Sequence, residues 1–530
     1  MSFPWFCVLF NIFVMGTAVT YTIKHYTNDP TIIALVTSTA GLVAIFVGPI
    51  TSFLSDRIWT PLGRRKPFLM IAWSAVALGT ALIPLIPVFG PAVNSVLGSL
   101  GIPFIKDFYF LAVIVIGCGS LNSSFSGPLE PLCLEIVPQD QRGRYWAMRT
   151  IFQNMASLFF FQLLWPIYDM RVPMLFHSTL GITLTGEQMI YVLASSLFFI
   201  NTLHLAFNVK ETKQESAQNT RIRDIQIWPF VKSFVKDVFG DPRWYPLYLI
   251  MVIPGITESV WGVFRNVMQT DQFGYGKDNM GLMGLPSMLI GMAITAPLAG
   301  WYSDKKPKLS NLVMGGLILL GATTLWGTFW IYGHTEHPDK LELPSIWIMF
   351  AMCLSATIST ISFFAVFIEI LLKFADRNNM RVWIATLAVV KDAGFTLGMF
   401  LLIRYGCTDG VPPITLWMLA GQFGGTTGAI IGVVVGPMIF EFIPSNRFGT
   451  VASGAGILSS LIGFATANIG AAWIKWYTAH FGTIQTATGK ILEADYSSMY
   501  VLQLLLMPIV MGVKIYFLWL VITKRMKVCK

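Results

Sequence analysis

The hydrophobic positions of this sequence are gathered into long continuous runs, without the alternation that a half-buried strand would show. Runs near or above 20 residues recur along the chain, and a helix of that length crosses about 30 Å of hydrocarbon. Backbone groups in lipid must be hydrogen-bonded within their own segment, so these runs predict helices. The pattern predicts fourteen spans, over 3–23, 31–54, 67–89, 108–137, 145–168, 188–209, 244–268, 279–302, 309–333, 344–372, 382–404, 414–441, 450–476 and 498–523.

A polar interval separates the sixth span from the seventh, over 210–243. Its first part, 210–224, is polar throughout. Its second part, 228–239, carries apolar residues at helical spacing, which predicts a short helix lying on the inner membrane surface. We expect this interval to act as a structural tether between two bundles, and a regulatory site is the alternative.

Composition excludes a soluble enzyme. Of 530 residues, 55% are hydrophobic and 12% are charged, and this charged share is about half of that in soluble domains. The six cysteines are scattered without a C-x-x-C pair, so no cofactor, metal or disulfide framework is expected. No metalloprotease motif or nucleophile elbow falls on a span, so an enzyme is not expected either. The first run lacks a basic start and a cleavage site, which indicates a first span and not a signal peptide.

The basic residues predict the orientation. With a cytoplasmic N-terminus, the cytoplasmic loops and their flanks hold 24 of the 36 lysines and arginines, and the external side holds eight. This bias is the one that membrane topology produces. It accounts for the net charge of +9 without nucleic-acid binding. Both termini are therefore expected in the cytoplasm, and the short loops favour a bacterial inner membrane.

Two short patterns occur twice and predict an internal repeat. Ser-Asp followed by a basic residue stands at 55–57 and 303–305, and E-x-[VI]-P-x-[DN]-x-x-G stands at 135–143 and 441–449. The two patterns lie 58 residues further apart in the second copy, which leaves room for two more spans. The repeat predicts an N-terminal six-helix bundle over 1–209, a linker over 210–243, and a C-terminal bundle over 244–530 with an inserted hairpin at about 344–404.

The loop at 55–68, which Gly48 and Pro49 precede, resembles the loop 2–3 signature of the major facilitator superfamily. Its ending at 63–68, Gly-Arg-Arg-Lys-Pro-Phe, is similar to the form found in sucrose-type and glycoside–pentoside–hexuronide symporters. Asn122, Gly127-Pro128 and Glu135 resemble a stretch of the sucrose transporters, although Ser126 and Glu130 stand where that family has Gln and Arg. The resemblance implies an all-α polytopic membrane protein of two six-helix bundles related by pseudo-twofold symmetry, here with an extra transmembrane hairpin and about 14 spans.

The repeated loops are the predicted gate. An acid at a helix end can sit against the positive N-terminus of a neighbouring helix, and nearby arginines can pair across the interface between the halves. The resemblance gives this role to Asp56, Arg57, Arg64 and Arg65, whereas Lys66 is expected to anchor the loop at the membrane. Anchoring alone is the alternative for the whole set. The predicted gating residues are Asp56, Arg57, Gly63, Arg64, Arg65, Asp304, Glu135, Arg142, Glu441 and Arg447.

Charged residues inside spans are costly and usually face the bundle interior. Glu258 with Arg265, and Glu130 with Arg149, fall within predicted spans. A buried carboxylate can bind and release a proton as access alternates. Glu258 and Glu130 are therefore the predicted proton-coupling residues, with the two arginines as partners, and static ion pairs are the alternative.

A polar solute such as a sugar needs planar rings to stack on and amides that hydrogen-bond its hydroxyls. Predicted solute contacts of these types on spans 1, 4, 5 and 7 are Asn11, Tyr21, Asn122, Gln153, Asn154, Trp261 and Asn266. Aromatic anchoring at the membrane interface is the alternative for the rings.

The sequence thus predicts a secondary active transporter, a proton-coupled sugar or glycoside symporter that works as a monomer by alternating access. Its expected partners are a small solute, a proton or sodium ion, and membrane lipid. An exporter of amphipathic compounds is the first alternative, although the glycine-rich span 5 motif of such exporters is absent from 145–168. A non-transporting membrane sensor is the second.

Overall fold

The computed structural model describes 2–101, 103–125, 128–136, 142–173, 183–211, 227–249, 263–272, 274–290 and 448–481 as continuous stretches, together with residues 252 and 292 and parts of 494–520. Within them, six helices are long and apolar enough to cross a membrane: Phe3–Lys24, Pro30–Thr51, Lys66–Ser99, Asp107–Ser124, Gly186–Asn208 and Gly454–Phe481. The second predicted repeat copy around Asp304 and the hairpin at 344–404 lie outside the described residues.

The first span is α1 (Ser2–Phe13), one π-helical turn (Val14–Ala18) and α2 (Val19–Lys24). The helix continues through the turn because its capping residues keep right-handed helical backbone angles on both sides. Thr20 bonds its hydroxyl to the carbonyl of Gly16, one turn back, at 2.9 Å. Hydroxyls on an apolar helix can thereby be satisfied within it.

The second and third spans have sequence-encoded starts. Helix α3 (Pro30–Arg57) begins with Pro30 at its first turn and Asp29 as N-cap, whose carboxylate accepts the Thr31 N–H at 2.9 Å. Helix α4 (Lys66–Leu82) continues through a 3₁₀ turn (Ile83–Leu85) into α5 (Ile86–Ser99). The helical segment therefore extends to Ser99, ten residues beyond the predicted end of the third span at 89.

The fourth and fifth spans are interrupted. Helix α6 (Asp107–Phe125) is followed by α7 (Leu129–Ile136), where a single span was predicted over 108–137. Pro128 stands in a turn directly before α7, a position where proline's missing N–H costs no helical hydrogen bond. Helix α8 (Arg142–Leu158) ends in a π-helical segment (Phe159–Leu164).

A small antiparallel strand pair, which the sequence analysis did not predict, precedes the sixth span. Strand β1 (Arg171–Pro173) pairs with β2 (Thr183–Thr185), with Val172 opposite Leu184. Helix α9 (Gly186–Asn208) then begins with a capping box, in which Thr185 and Gln188 satisfy each other's backbone N–H.

The later described helices are α10 (Ile227–Phe239), a 3₁₀ turn (Pro242–Trp244), a π-helical turn (Met268–Gln272), α11 (Lys277–Ile290) and α12 (Phe448–Phe481). The helix predicted over 228–239 is present as α10. Its place on a membrane surface stays a prediction. Helix α12 extends past both predicted ends of the span at 450–476.

The chain packs as two compact units. Unit 1 comprises Met1–Pro138, Leu163–Val263 and Gly449–Ala472, and unit 2 comprises Gln139–Gln162, Phe264–Phe448 and Trp473–Lys530. In unit 1, α3 packs along α6, and α4 packs along both α6 and α9. Its core includes the fully buried Trp73, Trp165 and Tyr191. The division into 1–209, 210–243 and 244–530 stays a prediction.

Close approach of helices depends on glycine at particular positions. In unit 1, a Cβ at Gly79 of α4 would collide with Cys118 of α6. In unit 2, where α8 packs on α11, a Cβ at Gly281 would collide with the Phe161 carbonyl. Small residues at helix contacts let backbones approach closely in membrane proteins, so these two glycines fit the packing of spans.

Candidate functional site

The loop between α3 and α4 is a closed turn built around Gly63. Thr60 and Gly63 exchange backbone hydrogen bonds of 3.1 and 3.0 Å, and the Thr60 hydroxyl donates to the Gly63 carbonyl at 2.7 Å. Gly63 has φ +114°, a conformation that side chains disfavour. The predicted gate loop therefore has a conformation fixed by its own bonds.

A carboxylate from the linker is bound at the end of this loop. Three successive backbone N–H groups, those of Arg64, Arg65 and Lys66, donate to Glu211 Oε1 and Oε2 over 2.8–3.2 Å. These N–H groups lie at the start of α4, where helical amides have no partner within the helix and the helix dipole is positive. A Cβ on Gly63 would lie 2.8 Å from Glu211 Cδ. The Glu211 carboxylate can therefore occupy this position only because residue 63 has no side chain.

Lys66 binds the end of α9 with its side chain. Its Nζ donates to the Ala206 carbonyl at 3.0 Å and to the Val209 carbonyl at 2.6 Å. The last carbonyls of a helix lack partners within it, and a cation there also suits the dipole. Lys66 is buried at 5% exposure, and its predicted role as an anchor at the membrane stays a prediction. We call Gly63, Arg64, Arg65, Lys66 and Glu211 the loop clasp.

The other predicted gate residues of this loop lie beside the clasp. Helix α3 ends at Arg57, so Asp56 and Arg57 occupy its last turn, and their side chains lie outside the described residues. Arg65 is buried and Arg64 is half-buried. The clasp therefore holds the backbone of both arginines at a fixed position next to the end of α3.

A second carboxylate is bound at the other end of α9. Thr22 donates its hydroxyl to Glu187 Oε1 and lies 2.5 Å from the Tyr191 hydroxyl and 3.4 Å from the Tyr168 hydroxyl. Because threonine has one hydroxyl proton and gives it to the carboxylate, Tyr191 is the donor to Thr22. His25 Nε2 lies 3.4 Å from Glu187 Oε2. We call Thr22, His25, Tyr168, Glu187 and Tyr191 the hydroxyl cluster.

The hydroxyl cluster joins three segments of unit 1. Thr22 and His25 belong to the end of the first span, Tyr168 follows the π-helical segment, and Glu187 and Tyr191 begin α9. The Glu187 N–H also donates to the Tyr168 carbonyl at 2.9 Å. Tyr191 is fully buried, whereas the His25 side chain is 57% exposed. A buried hydroxyl network thus opens to the surface through one carboxylate and one imidazole.

Tyr21, a predicted solute contact, packs against aromatic rings beside this cluster. Its ring centroid lies 4.9 Å from that of Trp165 and 6.2 Å from that of Tyr168, both in edge-to-face arrangements. Lys24 lies 5.4 Å from the Tyr21 ring centroid, within cation–π range. Tyr21 is buried at 7% exposure, and it therefore contributes to the core of unit 1.

The remaining predicted residues are placed as follows. Asn11 is buried in α1, and its side-chain oxygen has no hydrogen-bond partner among the residues that the structure describes. Asn122, Arg149, Asn154 and Asn266 are half-buried, whereas Gln153 and Arg265 are exposed. The helix α8 brings Arg149, Gln153 and Asn154 within about one turn of each other. The side chains of Glu130, Glu135 and Arg142, and all atoms of Glu258, Trp261, Asp304, Glu441 and Arg447, lie outside the described residues.

Unit 2 contains a buried carboxylate that the sequence analysis did not single out. Gln272 Nε2 donates to Asp495 Oδ1 at 3.2 Å, and the Asp495 N–H donates to the Thr478 hydroxyl at 2.8 Å. Ser498 donates to the Asp495 carbonyl at 2.7 Å. Asp495 is 5% exposed. These bonds join the end of α12 to the π-helical turn at Met268–Gln272.

Comparison with known proteins decides the family. Residues 4–399 match the model of the Major Facilitator Superfamily, which is well over half of the chain. The chain belongs to the Major Facilitator Superfamily. It is therefore an all-α polytopic membrane protein with the fold of that superfamily, and a transporter. The matched region includes the loop clasp, the hydroxyl cluster and the second Ser-Asp copy at 303–305.

One solved structure similar to this superfamily member is a variant of the nucleoside transporter NupG. It is 12% identical, the match covers 98% of this chain and 96% of that one, and the TM-score is 0.46. No curated protein matches the chain.

Sequence reasoning missed Glu211 and Glu187. Each acid stands beside a span end, and charged residues there are ordinary features of topology. A usable signal for Glu211 was the run of amides after Gly63, since the start of a helix binds anions. For Glu187, Thr22 and Tyr191 the pairing depends on which spans are neighbours, which no local pattern encodes.

Proposed function

We propose that this superfamily member is a secondary active transporter that moves a small polar solute, of the sugar or glycoside class, by proton-coupled symport. The ending of the loop at 63–68, similar to that of sugar symporters, supports the solute class. The loop clasp is the observation that carries the mechanism. We place the clasp on the cytoplasmic side of a bacterial inner membrane, with both termini on the same side.

Alternating access requires that each bundle moves as a body while its loops keep their geometry. The clasp joins the start of α4, the end of α9 and the start of the linker through one carboxylate and one ammonium group. Charge-assisted bonds of this kind are about twice as strong as neutral ones. Arg64 and Arg65 are thereby presented from a rigid support, which a gate group needs in order to engage and release a partner.

Proton coupling is assigned to Glu258 and Glu130, with Arg265 and Arg149 as their partners. Solute contacts are assigned to the polar residues of the spans predicted to line the cavity. The spacing of Arg149, Gln153 and Asn154 along α8 supports this, because it gives one helix a cation and two amides within about a turn. A solute rich in hydroxyls would bind such groups.

Uptake into proteoliposomes tests the function. We expect one or more labelled sugars or glycosides to accumulate when a proton gradient is imposed, and to equilibrate without accumulation when the gradient is collapsed. A sodium gradient in place of the proton gradient separates the two ions. Accumulation of amphipathic compounds with no sugar transported would contradict the sugar assignment and favour the exporter.

A substitution at Glu211 tests whether the loop clasp takes part in transport. We expect Glu211→Gln to slow uptake at least tenfold with the protein still folded, because the amide keeps one oxygen acceptor but loses the charge that binds three N–H groups. Glu187→Gln is the matched control, since it removes a carboxylate from the opposite end of α9. If Glu211→Gln transported at the wild-type rate, the clasp would have no part in the cycle.

A further inference from the structure

Helix α10 has two faces that differ in what they contact. Phe234 and Val238, one turn apart, are buried, whereas Pro229, Lys232, Val235 and Lys236 are exposed. At about 100° per residue, the exposed positions fall within an arc of roughly 120° on the side opposite the buried pair. Two of the apolar positions that predicted a membrane-surface helix, Phe234 and Val238, are therefore already covered by the protein.

The buried face is held in place from two directions within unit 1. Val238 contacts Gly454 of α12 so closely that a Cβ on the glycine would collide with it. The Tyr248 hydroxyl donates to the Val238 carbonyl at 3.1 Å, and the Tyr245 hydroxyl donates to the Phe239 carbonyl at 2.6 Å. Helix α10 thus has a defined orientation, and Lys232 and Lys236 lie on its exposed side.

The positive charges of the two lysines on this face are not paired with any acidic side chain among the described residues. Lys232 and Lys236 are four residues apart, so their ammonium groups lie on one side of the helix, and neither forms an ion pair with a described residue. By contrast, Arg243 is paired with Asp241 through bonds of 2.8–3.1 Å. Val235, half exposed between the two lysines, adds an apolar contact.

We propose that the exposed face of α10, formed by Lys232, Val235 and Lys236, binds anionic phospholipid headgroups of the leaflet beside it. The helix lies between the end of α9 and the predicted start of the next span, so we expect it to lie close to a bilayer surface. Two ammonium groups suit a phosphodiester, and the valine suits the adjoining acyl region. This proposal does not depend on which solute is carried or which ion drives it.

Native mass spectrometry of the purified full-length protein tests it, with phosphatidylglycerol and phosphatidylcholine in competition. We expect the wild type to retain phosphatidylglycerol preferentially. The double variant Lys232→Gln/Lys236→Gln should lower that preference by roughly fivefold per lysine at low salt. Raising the ionic strength should lower the wild-type preference in the same direction.

The control pair is Lys106→Gln/Lys475→Gln, which removes two exposed lysines predicted on the opposite membrane face. It should keep the preference, and so should Lys232→Arg/Lys236→Arg, which retains both charges. Hydrogen exchange in nanodiscs gives a local measurement: the backbone of 227–239 should be more protected with phosphatidylglycerol than with phosphatidylcholine alone.

The proposal is overturned if the wild type shows no preference, if the control pair loses as much as the α10 pair, or if 227–239 exchanges equally in both lipids. A failure of sugar uptake would count against the proposed function and leave these binding results unaffected.

Discussion

A carboxylate is bound near each end of α9, but by different chemistry at the two ends. At one end, Glu211 is bound by backbone N–H groups at the start of α4, and Lys66 caps the last carbonyls of α9. At the other end, Glu187 is bound by the Thr22 hydroxyl and lies next to His25. The hydroxyls of Tyr168 and Tyr191 lie within hydrogen-bond distance of the Thr22 hydroxyl. The first site depends on backbone geometry, and the second depends on side-chain identity.

This difference predicts how each site responds to substitution. A site built from backbone donors tolerates changes in the side chains that carry those donors but not changes in backbone conformation. A site built from hydroxyls tolerates small backbone adjustments but loses a partner with every hydroxyl removed. The loop clasp should therefore depend most on Gly63, and the hydroxyl cluster most on Thr22.

The largest effect is expected for Gly63→Ala. The φ of +114° costs an L-residue about 1–3 kcal/mol. The added Cβ would also lie 2.8–3.1 Å from the Glu211 carboxyl atoms, so the carboxylate must shift and its bonds lengthen. We expect a total loss of about 3–5 kcal/mol, seen as a lower midpoint of thermal unfolding in detergent.

Gly101→Ala is the control for a glycine at positive φ without a neighbouring carboxylate. Gly101 also has a positive φ, +75°, but no atom lies within 4 Å of the position that an added Cβ would take, so only backbone strain is added. Gly63→Ala should be clearly the more destabilising of the two. Equal losses in the two variants would mean that Glu211 contributes nothing measurable and that the clasp is incidental.

A smaller effect is expected for Thr22→Val, which keeps the shape and removes the hydroxyl. Glu187 Oε1 and the Tyr191 hydroxyl each lose a bond inside a buried network, at a cost of about 1–3 kcal/mol. Thr20→Val is the control, because its hydroxyl bonds to the Gly16 carbonyl of its own helix. The cluster would be discounted if both variants had the same thermal midpoint.

The parts of this structure that follow from local sequence were predictable. The runs that predicted the first, second, third, fourth and sixth spans coincide with long apolar helices, because span length is set by the thickness of the hydrocarbon. The helix α10 was predicted from apolar spacing alone. Part of its apolar face packs on protein, however, since Val238 lies against α12, more than 200 residues along the chain.

The candidate site was predictable only in part. The loop at 55–68 was recognised from its residues, yet its partner Glu211 was not, because the pairing depends on α4 lying beside α9. The hydroxyl cluster has the same origin: Thr22, Tyr168 and Glu187 are brought together by the packing of three segments. Short patterns encode the start of a helix, a tight turn or an anion-binding amide run, but not which span lies next to which.

The smallest effect concerns pH at the hydroxyl-cluster end of unit 1. Burial first, and then the negative charges of Asp107 and Glu187, raise the pKa of Tyr26 above its ordinary value. A raised pKa means that the folded state binds the phenolic proton more tightly than the unfolded state. This contribution to stability is complete below the ordinary tyrosine pKa of about 10 and is lost as the pH rises through the folded value.

Tyr26→Phe should therefore lose less of its thermal stability than the wild type between about pH 9 and 11. Parallel curves for the two proteins would show that Glu187 and Asp107 do not act on Tyr26, and would restrict the influence of the Glu187 charge to the hydroxyls and imidazole that it contacts directly.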